Sequence, residues 1–142
     1  MARRRRPSGR SALSQESSSS TPPNPLLPGL AGLAIGRDDS QGERIQRLVP
    51  QAKVVKAFNT IGFQVMANPR LAGGRSALLT VASDHADAKR AVIELASGLG
   101  FEAVDFGPLA NARYTEPLAM VWIYMAHVQG RGPDFALTLT TR

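Results

Sequence analysis

Lys53-Val54-Val55-Lys56-Ala57-Phe58-Asn59-Thr60 is the stretch around which the chain is organised. Val54, Val55 and Phe58 are the β-branched and aromatic residues that suit a pleated, buried surface, so the run predicts a core strand. Asn59 and Thr60 follow where such a strand would end. In an open α/β sheet the carboxyl edge of the strands is where ligands bind. The rest of the chain reads as packing around this strand or as an extension of its sheet.

On the N-terminal side, Ser40-Gln41-Gly42-Glu43 has the spacing of a capping box. It predicts a helix ending near Pro50, with Ile45, Leu48 and Val49 on its buried face. Further back, residues 27–36 form an apolar loop punctuated by Gly and Pro. Residues 1–23 are rich in Arg, Ser and Pro without an apolar period, and are expected to be a disordered tail.

On the C-terminal side, residues 60–66 predict a short helical turn with Ile61, Val65 and Met66 inward. Residues 77–83 read as a second strand, and Ser83 or Asp84 would cap a helix over about 85–97. Ala88, Val92, Leu95, Ala96 and Leu99 form its apolar stripe, and Gly100 its C-terminal cap. Residues 101–106 read as a third strand, completing a βαβ unit. Residues 111–129 predict a long apolar helix, with Pro117 in its first turn or at a kink. The alternation of Phe135, Leu137 and Leu139 with small or polar residues predicts a last strand.

The 142 residues suffice for one small domain. The net charge of +6 is uneven: five Arg against one Glu leave +4 in residues 1–23 and +2 in the rest. The body is near neutral, so nucleic acid is not an expected partner. The basic tail itself is open to three readings besides that of a functionless leader: a nucleic-acid arm, a transit peptide or the start of an export signal. No cysteine is present, which excludes disulfides, thiolate metal sites and a Cys nucleophile. Without disulfides or an apolar run of about 18 residues, a cytoplasmic protein with no membrane segment is expected.

Motifs for chemistry are few. Gly98-x-Gly100-x-x-Ala103 has a dinucleotide-like spacing but closes a helix and opens a strand, the reverse of a phosphate-binding loop. His85 and His127 lack the spacing of a metal pair, so no metal site is predicted. Asp38, Asp39, Asp84 and Asp87 sit where helix-start caps explain them. No side chain stands out as catalytic.

Four segments carry a family resemblance: Asn24-Pro25-Leu26, Val54 through Gly62, Val81-Ala82-Ser83-Asp84, and Asp105 through Arg113. In this order they resemble the C-terminal half of the NADPH-dependent F-420 reductases, NADP oxidoreductases that use a deazaflavin coenzyme. The family's Gly-rich dinucleotide loop has no counterpart in this sequence. The resemblance implies an α/β fold over residues 24–142: part of a Rossmann-like three-layer domain, with a mostly parallel sheet of three to four strands, truncated at its first half. It implies NADP as cofactor and coenzyme F-420 as hydride partner. Asn24, Pro25, Ala57, Phe58, Asn59 and Thr60 would line the nicotinamide, and Leu109 and Asn111 would face the second ring. For Phe58 core packing is the competing reading, and for Asn59 and Thr60 capping of the next turn. Hydride transfer occurs between the two rings, so the lack of acid–base residues is compatible with it. Two function readings stand: an oxidoreductase, or an inactive remnant serving as an interaction module. The missing strand would leave an open sheet edge, so the expected partner is a second copy or a chain that covers it.

Overall fold

The computed structural model describes residues 18–21 and 24–142, the first four by their backbone alone. Two βαβ units follow one another. The first runs from β1 (Ser18–Thr21) through α1 (Gln41–Leu48) to β2 (Lys53–Lys56). The second runs from β3 (Leu78–Val81) through α3 (Ala86–Gly98) to β4 (Glu102–Asp105), with α2 (Phe63–Ala67) in between. Each strand pair is parallel, Ser18 opposite Lys53 and Leu78 opposite Glu102. The pairs are joined by an antiparallel bridge at which Lys56 and Ala82 exchange N–H···O bonds of 2.8 and 3.0 Å. A 3-10 turn (Leu109–Asn111) then opens α4 (Ala112–Ile123), which continues into a π-helical turn over Tyr124–Val128. This is the partial Rossmann-like α/β arrangement expected.

Strand alternation explains the layers. Successive side chains of β2 point to opposite faces. Val55 and Ala57 join Leu79, Val81, Val65, Ala88, Ala96 and Phe101 on the α2/α3 side. Val54 joins Ala52, Leu109 and Ile45 on the α1 side. Val54 and Val55 are both fully enclosed, each contributing about 1.5–3 kcal/mol of transfer free energy. At the head of α1, the Ser40 hydroxyl accepts the Glu43 N–H at 3.2 Å, as the capping box required. Gly100, at φ 99°, turns the chain from α3 into β4 and is a helix cap.

Several expectations need correction. Ser18–Thr21 lie within the segment expected to be disordered, yet form β1. Parallel pairing uses main-chain groups, which Ser and Thr supply as well as any residue, and the edge of β2 was there to receive them. The rest of the 1–23 tail lies outside the described residues. Residues 135–140 are not a strand. The Phe135 carbonyl is taken by the Trp122 indole N–H at 2.9 Å, and only the Leu137 carbonyl meets β3, at Leu78 N–H. Leu48 is 80% exposed: α1 packs through Gly42 and Ile45, and Leu48 is the last residue of the helix, beyond that contact. Val49, Met66, Leu95 and Leu99 are also exposed, at the margins of their stripes. Asp84 does not cap α3: it accepts the Leu109 N–H, while the Ser83 hydroxyl takes the His85 N–H. Pro117 is well inside α4, not in its first turn. Among the described residues, no helix is long and apolar enough to cross a membrane.

Candidate functional site

The loops that leave β1 and β2 meet. Asn24 Nδ2 donates to the Asn59 carbonyl at 3.0 Å, and Asn59 Nδ2 donates back to Asn24 Oδ1 at 3.3 Å. Asn59 Nδ2 also reaches the Thr115 carbonyl of α4 at 2.9 Å. A reciprocal pair 35 residues apart in sequence thus lies at the carboxyl ends of two parallel strands. The Pro25 carbonyl accepts the Ala34 N–H at 2.7 Å, which folds the following loop back on itself.

Phe58 is the backbone outlier of this junction, with φ at 58°. For a bulky side chain that region is strained. Alternation would have aimed Phe58 to the same face as Val54 and Lys56. The left-handed residue breaks the alternation and turns the ring onto the α2/α3 core, edge-on to Phe101 at 5.8 Å. Asn59 is thereby delivered toward Asn24 and α4. Ala57, Asn59 and Thr60 are buried, while Asn24, Pro25 and Phe58 are half-buried. Gly62 closes the loop beneath Trp122, where a Cβ would lie 2.8 Å from the indole Cζ2.

Under this loop lies a feature the sequence reading missed. Lys56 Nζ and Glu116 Oε1 form an ion pair of 2.9 Å with side-chain exposures of 0% and 1%. Burial lowers the Lys56 pKa, and the Glu116 carboxylate opposes that shift. Glu116 also accepts the backbone N–H groups of Gln41 at 2.9 Å and Gly42 at 3.2 Å, the first two residues of α1. A signal was available: a Lys within a buried strand requires a partner, since an unpaired buried charge is costly.

Six of the eight residues expected at the two rings therefore converge: Asn24, Pro25, Ala57, Phe58, Asn59 and Thr60. Leu109 is 1% exposed and packs under α1, where its Cδ1 would lie 3.2 Å from a Cβ at Gly42. Asn111 Nδ2 donates to the Phe106 carbonyl at 2.7 Å. Leu109 is thus committed to core packing, while Asn111 is half-buried and spends one amide N–H on its own turn. Most of the remaining polar candidates have structural partners. Asp39 holds Arg44 and Arg47, Asp87 holds Lys53, His85 Nε2 meets Gln46 Oε1, and His127 lies against Trp122. No cluster of three or more His, Asp or Glu able to hold a metal occurs among the described residues. A groove of about 520 Å³ lies on α4 and the π-turn, lined by Met120, Val121, Tyr124, Met125 and Gln129, none of which belongs to the Asn24–Asn59 junction.

No model of a known protein family matches the chain. It is similar to a solved structure from Arthrobacter sp. FB24 assigned as an F420-dependent NADP reductase. The two share 34% identity and a TM-score of 0.79, over 89% of this chain and 58% of that one. A hypothetical protein from Sinorhizobium meliloti is 34% identical with a TM-score of 0.59, over 88% of this chain and 55% of that one. The rat metalloreductase STEAP3 is 39% identical over 82 residues, which are 57% of this chain and 16% of that protein. The chain thus spans less than three fifths of each of these three proteins. The resemblance carried by the four segments holds in both sequence and fold.

Proposed function

We propose that residues 24–142 supply the nicotinamide wall of an NADP-dependent oxidoreductase that moves hydride between NADPH and a deazaflavin or similar acceptor. The observation that carries this reading is the Asn24–Asn59 junction at the strand ends, built beside a strained Phe58, in a chain similar to an F420-dependent NADP reductase. Both amide hydrogens of Asn59 are committed, to Asn24 and Thr115. Its Oδ1 is the acceptor left to a ligand, and a nicotinamide carboxamide offers the matching N–H donor. Pro25 and Phe58, both half-buried, provide apolar surface on which a planar ring can lie without water. Bound there, the cofactor supplies the hydride and its electron pair; the chain binds, orients and shields.

The pyrophosphate end is served differently. The loop from β1 to α1 holds Gly29, Gly32 and Gly36, but not in the GxGxxG spacing of a dinucleotide-binding turn. The N-terminus of α1, the obvious anion site of its βαβ unit, is already filled by the Glu116 carboxylate. These residues alone should therefore hold NADPH weakly, with a Kd on the order of 1 mM. Reduced nicotinamide mononucleotide, which lacks the adenosine half, isolates the wall that is present. Titrated into the isotope-labelled chain, it should shift the amides of Asn24 and of residues 57–60 and bind about as tightly as NADPH. Absence of shifts there at several times that concentration would refute the reading.

A second reading, an interaction module, is favoured by the outer face of α4. Tyr114, Pro117, Val121, Tyr124 and Val128 are exposed and recur at steps of three and four, the seam spacing of paired helices. The partner that fits this seam is a second copy of the chain, helix against helix. Sedimentation should then show a dimer that Tyr124→Glu converts to monomer; a parent chain that stays monomeric at high concentration would end this reading.

A further inference from the structure

Thr115 and Glu116 are neighbours on α4, and they receive two side chains from one end of β2. Thr115 offers its carbonyl to Asn59 Nδ2 at 2.9 Å, and Glu116 pairs with Lys56 Nζ at 2.9 Å. Through Gln41 and Gly42 the same carboxylate holds the first turn of α1. Arg113, one turn earlier, grips Glu43 of α1 with two bonds of 2.9 and 2.6 Å. Three elements are thus fixed in rotation and height by one carboxylate. A buried ion pair adds little stability over an apolar pair of similar volume, because removing both charges from water costs about what their attraction returns. What such a pair does impose is register, since its geometry admits one alignment.

We propose that Glu116 is a positioning residue: it sets α4 at the one height where the Thr115 carbonyl orients the Asn59 amide, leaving Asn59 Oδ1 turned to the nicotinamide carboxamide. The inference rests on the reading of the junction as the nicotinamide wall. It makes Glu116 act through Asn59, without touching the cofactor.

The test uses the full chain with two double variants. Lys56→Met/Glu116→Leu leaves no buried charge and removes the tie to α1. Lys56→Met/Glu116→Gln keeps a carbonyl acceptor for Gln41 and Gly42. Urea unfolding, hydrogen exchange of the Asn59 side-chain amide, and affinity for reduced nicotinamide mononucleotide are read for each. The Met/Leu variant should unfold near the parent midpoint. Its Asn59 amide should nevertheless exchange about tenfold faster and its affinity fall about five- to tenfold, the worth of one lost hydrogen bond. The Met/Gln variant should recover both. A folded Met/Leu variant with parental exchange and affinity overturns the proposal. So does one that does not fold, since the pair would then be a stability element and nothing more. If the parent itself shows no nucleotide-induced shifts at Asn24 and residues 57–60, the site reading fails, and the Asn59 exchange still decides whether Glu116 positions that amide.

Discussion

Gly62→Ala adds one methyl group at the point where the candidate site loop passes under α4. At φ −81° and ψ 164° the backbone of Gly62 is open to any residue, so alanine meets no conformational strain. The cost is steric. A Cβ would lie 2.8 and 3.0 Å from two carbons of the Trp122 ring and 3.0 Å from the Pro133 carbonyl oxygen. Neither neighbour yields easily. The indole is 7% exposed, donates its N–H to Phe135 and stacks on the Phe135 ring at 5.4 Å. Overpacking of this kind costs about 1–3 kcal/mol, while the stiffer unfolded chain returns about 0.4–1 kcal/mol. The net expectation is a destabilisation of about 1–2 kcal/mol. Gly42→Ala is the control, because its nearest contact is the terminal methyl Cδ1 of the Leu109 side chain, at 3.2 Å, and not a ring or a main-chain carbonyl. There a helix-propensity gain of about 0.5–1 kcal/mol should roughly cancel the contact. Urea unfolding followed by fluorescence of Trp122, the single tryptophan of the chain, measures both. Equal effects of the two substitutions, or a Gly62→Ala chain as stable as the parent, would refute the reasoning.

At Phe58, where φ is 58°, Phe58→Gly and Phe58→Ala both remove the ring, but only glycine relieves the backbone. The glycine variant should be the more stable of the two by about 1 kcal/mol in urea unfolding, and the opposite order would show that Phe58 is not strained. Acid sensitivity should concentrate at the head of α1. The hydrogen bond from Arg113 lowers the Glu43 pKa below its ordinary 4.5, and those from Arg47 and then Arg44 hold Asp39 well below the usual carboxylate range. Groups with depressed folded-state pKa values contribute stability that is present above their unfolded pKa and lost as pH falls through the folded one. Stability should therefore decline below about pH 5, and Glu43→Gln should flatten that decline. A Glu43→Gln chain with the parental pH slope would count against the Arg113–Glu43 pair.

The parts of the fold that were legible in the sequence are those where side chains report the backbone. Val54 and Val55 announced a strand covered on both faces, Ser40 and Glu43 announced the start of α1, and Gly100 the end of α3. β1 was illegible because parallel pairing is made by main-chain groups, on which the Ser-rich composition is silent. The alternation at residues 135–140 misled for the converse reason. Side chains there have the strand period, but the Phe135 carbonyl is claimed by Trp122 and the segment cannot align along β3. Leu95 and Leu99 show that a helical stripe can be wider than the surface it meets.

The site was legible as a place and not as a mechanism of assembly. Asn24 and Asn59 could be assigned to one edge, yet nothing in their spacing revealed that each holds the other. Lys56 is the more instructive case. Its position inside a buried strand demanded a counter-charge, but the sequence does not say where that charge is, and Glu116 sits 60 positions away beside a proline that drew attention to the helix path instead. Once the pair is in view, the character of the first βαβ unit changes. In a dinucleotide-binding unit the helix N-terminus is kept open for phosphate; here the chain places its own carboxylate against Gln41 and Gly42. A unit built this way cannot grip a pyrophosphate at that helix. On the reading proposed above, what it keeps for a ligand is the strand-end junction where Asn24 and Asn59 meet, with Lys56 and Glu116 held beneath it as a buried ion pair.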